Sequence, residues 1–219
     1  MDTRILLVRH GATTLSAEDR FAGSVDPDLS EAGRAQAASL GRRLAEEPPD
    51  VVYSSPMRRT LATAELVTGG ARPITPVPEF KEIHHGHWEQ KTREEVQASF
   101  PDEYAAWERD PFTFAPAGGE SGLAVLARSL PALLAIATRD VGRRVLVVSH
   151  KATIRLMIGH LLGFDLRFYR DKLDQSPCAL NIIDMRPGGE ARLLLYNDVS
   201  HYDRIPDPVG RRLSPVWTG

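Results

Sequence analysis

Two short runs without a single polar residue, Ile5-Leu6-Leu7-Val8 and Val145-Leu146-Val147-Val148, each stop at a histidine: Arg9-His10 follows the first and Ser149-His150 the second. A strand that is apolar at every position is buried on both faces, which happens in a parallel sheet covered by helices on both sides. These runs predict a three-layer α/β/α sandwich with a mainly parallel central sheet. Val51-Val52-Tyr53 reads as another such strand, followed by Ser54-Ser55-Pro56 and a helix whose first turn carries Met57, Arg58, Arg59 and Thr60. SEAGRAQAASLGRRLAEE predicts a helix capped by Ser30, with Ala35, Leu40 and Leu44 near one face and Pro48-Pro49 beyond its end. A long helix is expected after Gly118-Gly119-Glu120-Ser121, ending near Asp140, and another over Ala152 to Leu162. Leu180 to Met185 and Ala191 to Tyr196, joined by Arg186-Pro187-Gly188-Gly189, read as a hairpin.

The carboxyl ends of parallel strands share one rim, where α/β folds bind ligands. Arg9-His10, Arg58-Arg59 and His150 all stand at such ends, so residues far apart in sequence are expected to meet there. Two histidines, two or three arginines and adjacent helix N-termini suit a doubly charged tetrahedral anion, and phosphate is the natural one.

Composition narrows the setting. Lys plus Arg number 27 against 29 for Asp plus Glu, a formal charge of -2, so no basic field points to nucleic acid. Cys178 is the only cysteine, which excludes an internal disulfide framework and a multi-cysteine zinc site. No stretch approaches the length needed to cross a bilayer, and no signal region precedes the first strand, so a cytoplasmic protein without a membrane partner is expected. The 219 residues suit one domain, 1–219, with a mostly helical cap inserted at about 79–119. Its aromatic residues, Trp88, Phe100, Tyr104, Trp107, Phe112 and Phe114, read as the core of that cap. His84, His85 and His87 are close in sequence, but strand-like alternation would put His85 and His87 on one face and His84 on the other, which argues against a metal. It leaves one of the three to line the cavity. His201 reads as structural, and the tail beyond Asp203 has no core pattern.

LLVRHGATT resembles the RHG signature of the histidine phosphatase superfamily, the phosphoglycerate mutase-like family. Five further segments follow in the family's order: DLSEAGRAQAASLGRRL, VVYSSPMRRTLATAELV, FKEIHHGHWE, AGGES and VLVVSHKATIR. Three residues recur by chance; six motifs in order, from about Arg4 to Asp203, are specific. By position, the resemblance implies that His10 is a nucleophile, Arg9 and Arg59 phosphate clamps, Glu82 the general acid and base, and His150 the second pocket histidine. Arg58 is then surface or substrate-facing. The small-residue position at Ala152 would let the backbone approach phosphate. Two departures stand out. Ala12 and Ser16 replace polar family residues, leaving Thr13, Ser16 and Arg20 to supply hydrogen bonds to the ligand. Lys151 replaces a glycine, either solvated or pairing with a second acidic group on the substrate.

The resemblance implies a phosphatase acting on a small phosphate monoester through phosphohistidine, with neither metal nor cofactor. Its partner would be a small phosphorylated molecule, and a homodimer is allowed. The alternatives are a cofactor-dependent phosphoglycerate mutase, whose longer insertion and basic segment this chain does not clearly show, and a non-catalytic phospho-ligand binding protein. A pure binder would not need all five chemical positions filled.

Overall fold

The two apolar runs lie side by side at the centre of a six-stranded sheet. The computed structural model describes residues 1–17 and 20–203, with Ser16 and Ala17 described in their backbone alone. In chain order the elements are β1 (Thr3–Arg9), α1 (Thr14–Ala17), α2 (Glu31–Arg43), β2 (Val51–Ser54), α3 (Arg58–Thr68) and β3 (Ile74–Pro76). Next come α4 (Arg93–Ser99), α5 (Pro101–Arg109), α6 (Gly122–Arg139), β4 (Arg144–Ser149), α7 (Lys151–Leu161), α8 (Tyr169–Lys172), β5 (Leu180–Met185) and β6 (Ala191–Asp198). Single 3₁₀ turns sit at Pro78–Phe80, Gly86–Trp88 and Leu166–Phe168.

The strand order is β3-β2-β4-β1-β5-β6. The first four are mutually parallel, and β5 and β6 add the expected antiparallel hairpin at one edge. β3 has no counterpart in the sequence reading. It is a three-residue edge strand ending in Pro76, too short to show a period and with a residue that cannot donate to a ladder.

Alternation within each apolar run explains why no position is polar. Ile5, Leu7, Val145 and Val147 face α6 and α7, where they meet Leu133, Ile136, Ile154, Met157 and Ile158. Leu6, Val8, Leu146 and Val148 face α2 and α3, against Ala37, Leu40, Leu44, Ala64 and Val67. Successive strand residues point to opposite faces and both faces are covered, which is the three-layer sandwich. Ser30 caps α2 by accepting from the Gly33 amide, as its position suggested. Ala35, expected on the packed face, is exposed; the helix instead buries Gly33, Ala37, Leu40 and Leu44 at three- and four-residue spacing.

α6 also departs from expectation. By length and composition its 18 residues could cross a bilayer. In the fold, one face of it, including Val125, Leu133, Ile136 and Ala137, is buried within the protein. Between residues 79 and 119, Trp88, Val96 and Trp107 form an aromatic cluster that also takes in Phe21 from the chain after β1.

Gly33 is where α2 touches the loop that follows β1. A β-carbon there would lie 2.1 Å from the Ala12 carbonyl oxygen and 2.7 Å from its amide nitrogen. Gly33→Ala is expected to push that loop away and cost about 1–3 kcal/mol. A lowered denaturation midpoint checks this, and an unchanged midpoint would show that the helix and loop can separate freely.

Candidate active site

β1 ends by handing its ladder on to the loop. Arg9 pairs with Ser149, the His10 amide donates to the Ser149 carbonyl at 3.0 Å, and the His10 carbonyl accepts from the Cys178 amide at 3.0 Å. His10 is therefore held on both backbone sides. Its Nδ1 lies 2.8 Å from the Gly11 carbonyl oxygen, an acceptor only, so Nδ1 carries the proton and Nε2 keeps its lone pair. Gly11 is glycine for lack of room: a β-carbon would come within 2.5 Å of the Gly33 carbonyl oxygen.

β4 delivers His150 beside it as the N-cap residue of α7, with the ring centroids 5.2 Å apart. His150 Nε2 is 2.8 Å from the Ser55 hydroxyl at the end of β2, and its Nδ1 is buried without a partner among the described residues. Ser55 stands at the same rim as the predicted residues, but a serine in SSP gives no signal of its own.

α3 settles which arginine turns inward. Arg59 is 1 % exposed, donating to the Val25 carbonyl at 2.8 Å and pairing with Asp26 at 3.2 Å. Arg58 is on the surface with Asp26 and Asp28. Arg9 is buried, donates to the Gln175 carbonyl at 2.7 Å, and has an Nε with no partner among the described residues. Burial lowers the Arg9 pKa to about 10 and depresses Arg59 as well, with Glu82 partly offsetting both. His10 and His150 are held well below the ordinary imidazole range, by burial first and then by the arginine charges. Two uncharged imidazoles thus face two guanidiniums that lack full compensation, an arrangement suited to an incoming dianion.

Glu82 follows the 3₁₀ turn Pro78–Phe80 and lies against the start of α7, accepting from the Ala152 amide at 3.3 Å and the Thr153 amide at 3.4 Å. The segment before it is tied down from two helices. Arg128 of α6 donates to the carbonyls of Glu79, Lys81 and Glu82 at 2.6, 2.9 and 3.1 Å and forms a two-pronged pair with Glu120 at 2.9 Å on each prong. Thr153 of α7 adds a bond to the Lys81 carbonyl at 2.8 Å. Nothing in the sequence marks Arg128, because its partners are three backbone carbonyls and a carboxylate eight positions away.

Around these groups is a cavity of about 410 Å³. Arg9, His10, Arg59 and Glu82 line it together. So do Thr13, Arg20, Lys151 and Ala152, whereas His150, fully buried beside His10, is not among the lining residues. The Ser16 side chain lies outside the described residues, as does the tail from 204 onward. The alternation expected of His84, His85 and His87 does not hold, because Gly86 at φ 55° turns the chain into a 3₁₀ turn. His85 lines the cavity with its ring against Phe21 and its pKa lowered to about 4 by burial. His84 lies by Glu89 and His87 by Glu103, so the three part company. Among the described residues no three His, Cys, Asp or Glu side chains converge as metal ligands would. His201 is buried, and its carbonyl accepts from Ser39 of α2.

Comparison with known proteins gives a consistent picture. The family model described as histidine phosphatase superfamily (branch 1) matches residues 5–199. Phosphoserine phosphatase 1 of Hydrogenobacter thermophilus is 38 % identical over 165 residues, 74 % of this chain and 78 % of the relative. The glucosyl-3-phosphoglycerate phosphatase of Mycolicibacterium vanbaalenii is 36 % identical over 168 residues, 73 % of this chain and 74 % of its own. Among solved structures, Bacillus stearothermophilus YhfR superposes with a TM-score of 0.85 at 33 % identity, over 91 % of this chain and 98 % of that one. A mycobacterial glucosyl-3-phosphoglycerate phosphatase in complex with VO3 gives a TM-score of 0.77 at 28 % identity, over 89 % and 98 % of the two chains.

Two outcomes follow from this geometry. Arg128→Ala is expected to cost about 1.5–3 kcal/mol through the lost charged hydrogen bonds and to speed amide hydrogen exchange over residues 79–84. Exchange that stays at the wild-type rate would show that Arg128 does not hold the segment. Separately, His10, His85 and His150 stay unprotonated in the fold below the ordinary value of 6.5, where the unfolded chain takes up protons. Stability from these groups is full above about pH 6.5 and is lost as pH falls below it, down to about 4 for His85 and through the depressed values of His10 and His150. Urea midpoints measured at pH 7, 6 and 5 should fall in that order, and a flat series would contradict the depressed values.

Proposed function

The chain belongs to the histidine phosphatase superfamily and is a phosphoric monoester hydrolase, and we propose that it cleaves a small phosphate monoester without a metal ion, through a phosphohistidine formed on His10. The observation that carries this reading is the Nδ1 contact to the Gly11 carbonyl at 2.8 Å, which leaves Nε2 as an unprotonated nucleophile facing the cavity's guanidiniums. The steps are as follows. The Nε2 lone pair attacks phosphorus, the ester P–O bond breaks, and Glu82 gives its proton to the departing alkoxide. Water then attacks the phosphohistidine as Glu82 takes back a proton; the N–P bond breaks and inorganic phosphate leaves. One carboxyl group serves both halves, a contribution worth about a hundred- to ten-thousand-fold.

Arg9 and Arg59 supply the positive charge as the equatorial oxygens gain negative charge in the transition state. In this reading the Ser55 hydroxyl, 2.8 Å from His150 Nε2, donates to it, and Nδ1 is then the protonated nitrogen that serves a phosphoryl oxygen. The VO3 complex of the mycobacterial relative supports a pocket of this kind, since VO3 can imitate phosphorus gaining a fifth ligand.

The test is hydrolysis of p-nitrophenyl phosphate in excess EDTA, with rapid acid-free quenching to trap a labelled enzyme. Wild type should release nitrophenol and carry label, while His10→Ala should carry none and lose activity on the order of a thousand-fold or more. Activity that vanishes with EDTA, or survives in His10→Ala, would overturn the proposal.

A further inference from the structure

The cavity continues past the phosphoryl site to a wall that the reaction above leaves unused. Arg155, one helical turn beyond His150 on α7, lines it with its side chain 9 % exposed. Among the described residues it pairs through Nη2 with Asp174 alone, at 3.3 Å, a carboxylate whose side chain is 46 % exposed, and its Nε has no partner there. The same Asp174 oxygen already accepts from the Gln175 amide nitrogen at 2.8 Å. Arg155 and the backbone of Gln175 therefore crowd one oxygen.

Gln175 is 1 % exposed, lines the same cavity, and has neither side-chain amide atom partnered among the described residues. Its carbonyl holds Arg9, so this wall adjoins the phosphate clamp. Tyr169 also lines the wall, and burial raises its pKa to about 12, which keeps its hydroxyl protonated. A buried guanidinium ordinarily receives a two-pronged acceptor, because taking it out of water is costly. Arg155 has one weak contact, and burial lowers its pKa to about 10.

The charge count indicates what is missing. Arg9 and Arg59 together match a doubly charged phosphoryl group, whereas Arg155, set beside the neutral Gln175 amide and Tyr169 hydroxyl and balanced only by one 3.3 Å contact to the half-exposed Asp174, matches a single negative charge in a cavity whose lining also carries Arg20, Arg93, Lys151 and Arg170. A carboxylate is planar, carries that charge, and fits the guanidinium fork. We propose that Arg155, with Gln175, forms a subsite for a carboxylate on the leaving group, making the substrate a phosphorylated carboxylic acid. This rests on the phosphatase reading and extends it to substrate class. It also moves recognition of a second acidic group from Lys151, at the first position of α7, to a residue deeper in the cavity.

The probes are 3-phosphoglycerate and glycerol 3-phosphate, which differ in a carboxylate against a hydroxymethyl group, with p-nitrophenyl phosphate as the reference. Wild type should show kcat/KM for 3-phosphoglycerate at least about ten-fold above glycerol 3-phosphate. Arg155→Gln should bring that ratio close to one, and Arg155→Lys, which keeps the charge but not the fork, should restore part of it. A wild-type ratio at or below one, or an equal loss on all three esters in Arg155→Gln, overturns the subsite while leaving the phosphatase reading intact. If wild type cleaves none of the three, the phosphatase reading itself fails.

Discussion

The hydrogen-bonded ladder between β1 and β4 is the constraint from which the site follows. Its parallel register sets Arg9 opposite Ser149, and the next amide, that of His10, completes the ladder on the Ser149 carbonyl. Two imidazoles that lie 140 positions apart in sequence thereby come within ring contact. A one-residue slip would turn each apolar run inside out, because both faces of these strands are packed. Core packing and site geometry are therefore specified by the same pairing.

Electrostatics at the rim are left deliberately unbalanced in the free chain. Arg9, Arg59 and Arg155 are buried, and each has an Nε without a partner among the described residues. Burying charge that is incompletely paired costs stability, and an anionic ligand offsets the cost. Burial first, and then the charges of Arg59 and Arg9, keep His10 and His150 uncharged. Strain of this kind belongs to a site organised around a ligand rather than to a core organised for stability.

Much of this was legible in the residues. The apolar runs announced strands buried on both faces, Pro56 announced the start of α3, and the Pro-Gly-Gly turn announced the edge hairpin. Arg59 could be separated from Arg58 by its place in the motif, and helical geometry explains the result, since adjacent residues on a helix diverge by about 100°. What stayed hidden depended on tertiary contact. β3 is too short for a period, Ala35 is too small to reveal which face it takes, and one glycine reversed the expected alternation of three histidines. α6 is apolar enough to imitate a bilayer segment because so much of it meets the protein core. Arg128, Arg155 and Gln175 speak through backbone carbonyls, a shared carboxylate oxygen and unfilled amide valences, none of which leaves a pattern in sequence.

α7 has a consequence for how such a site can change. His150 is its N-cap, Glu82 leans on its first amides, and Arg155 projects from its next turn, so one rigid rod sets the spacing among His150, the proposed proton donor Glu82 and the proposed carboxylate grip. The helix works as a ruler whose divisions cannot be altered one at a time. New preferences for the organic part of a substrate are then easier to gain from the aromatic wall of Phe21, His85 and Trp107, which faces the same cavity but shares no backbone with the ruler.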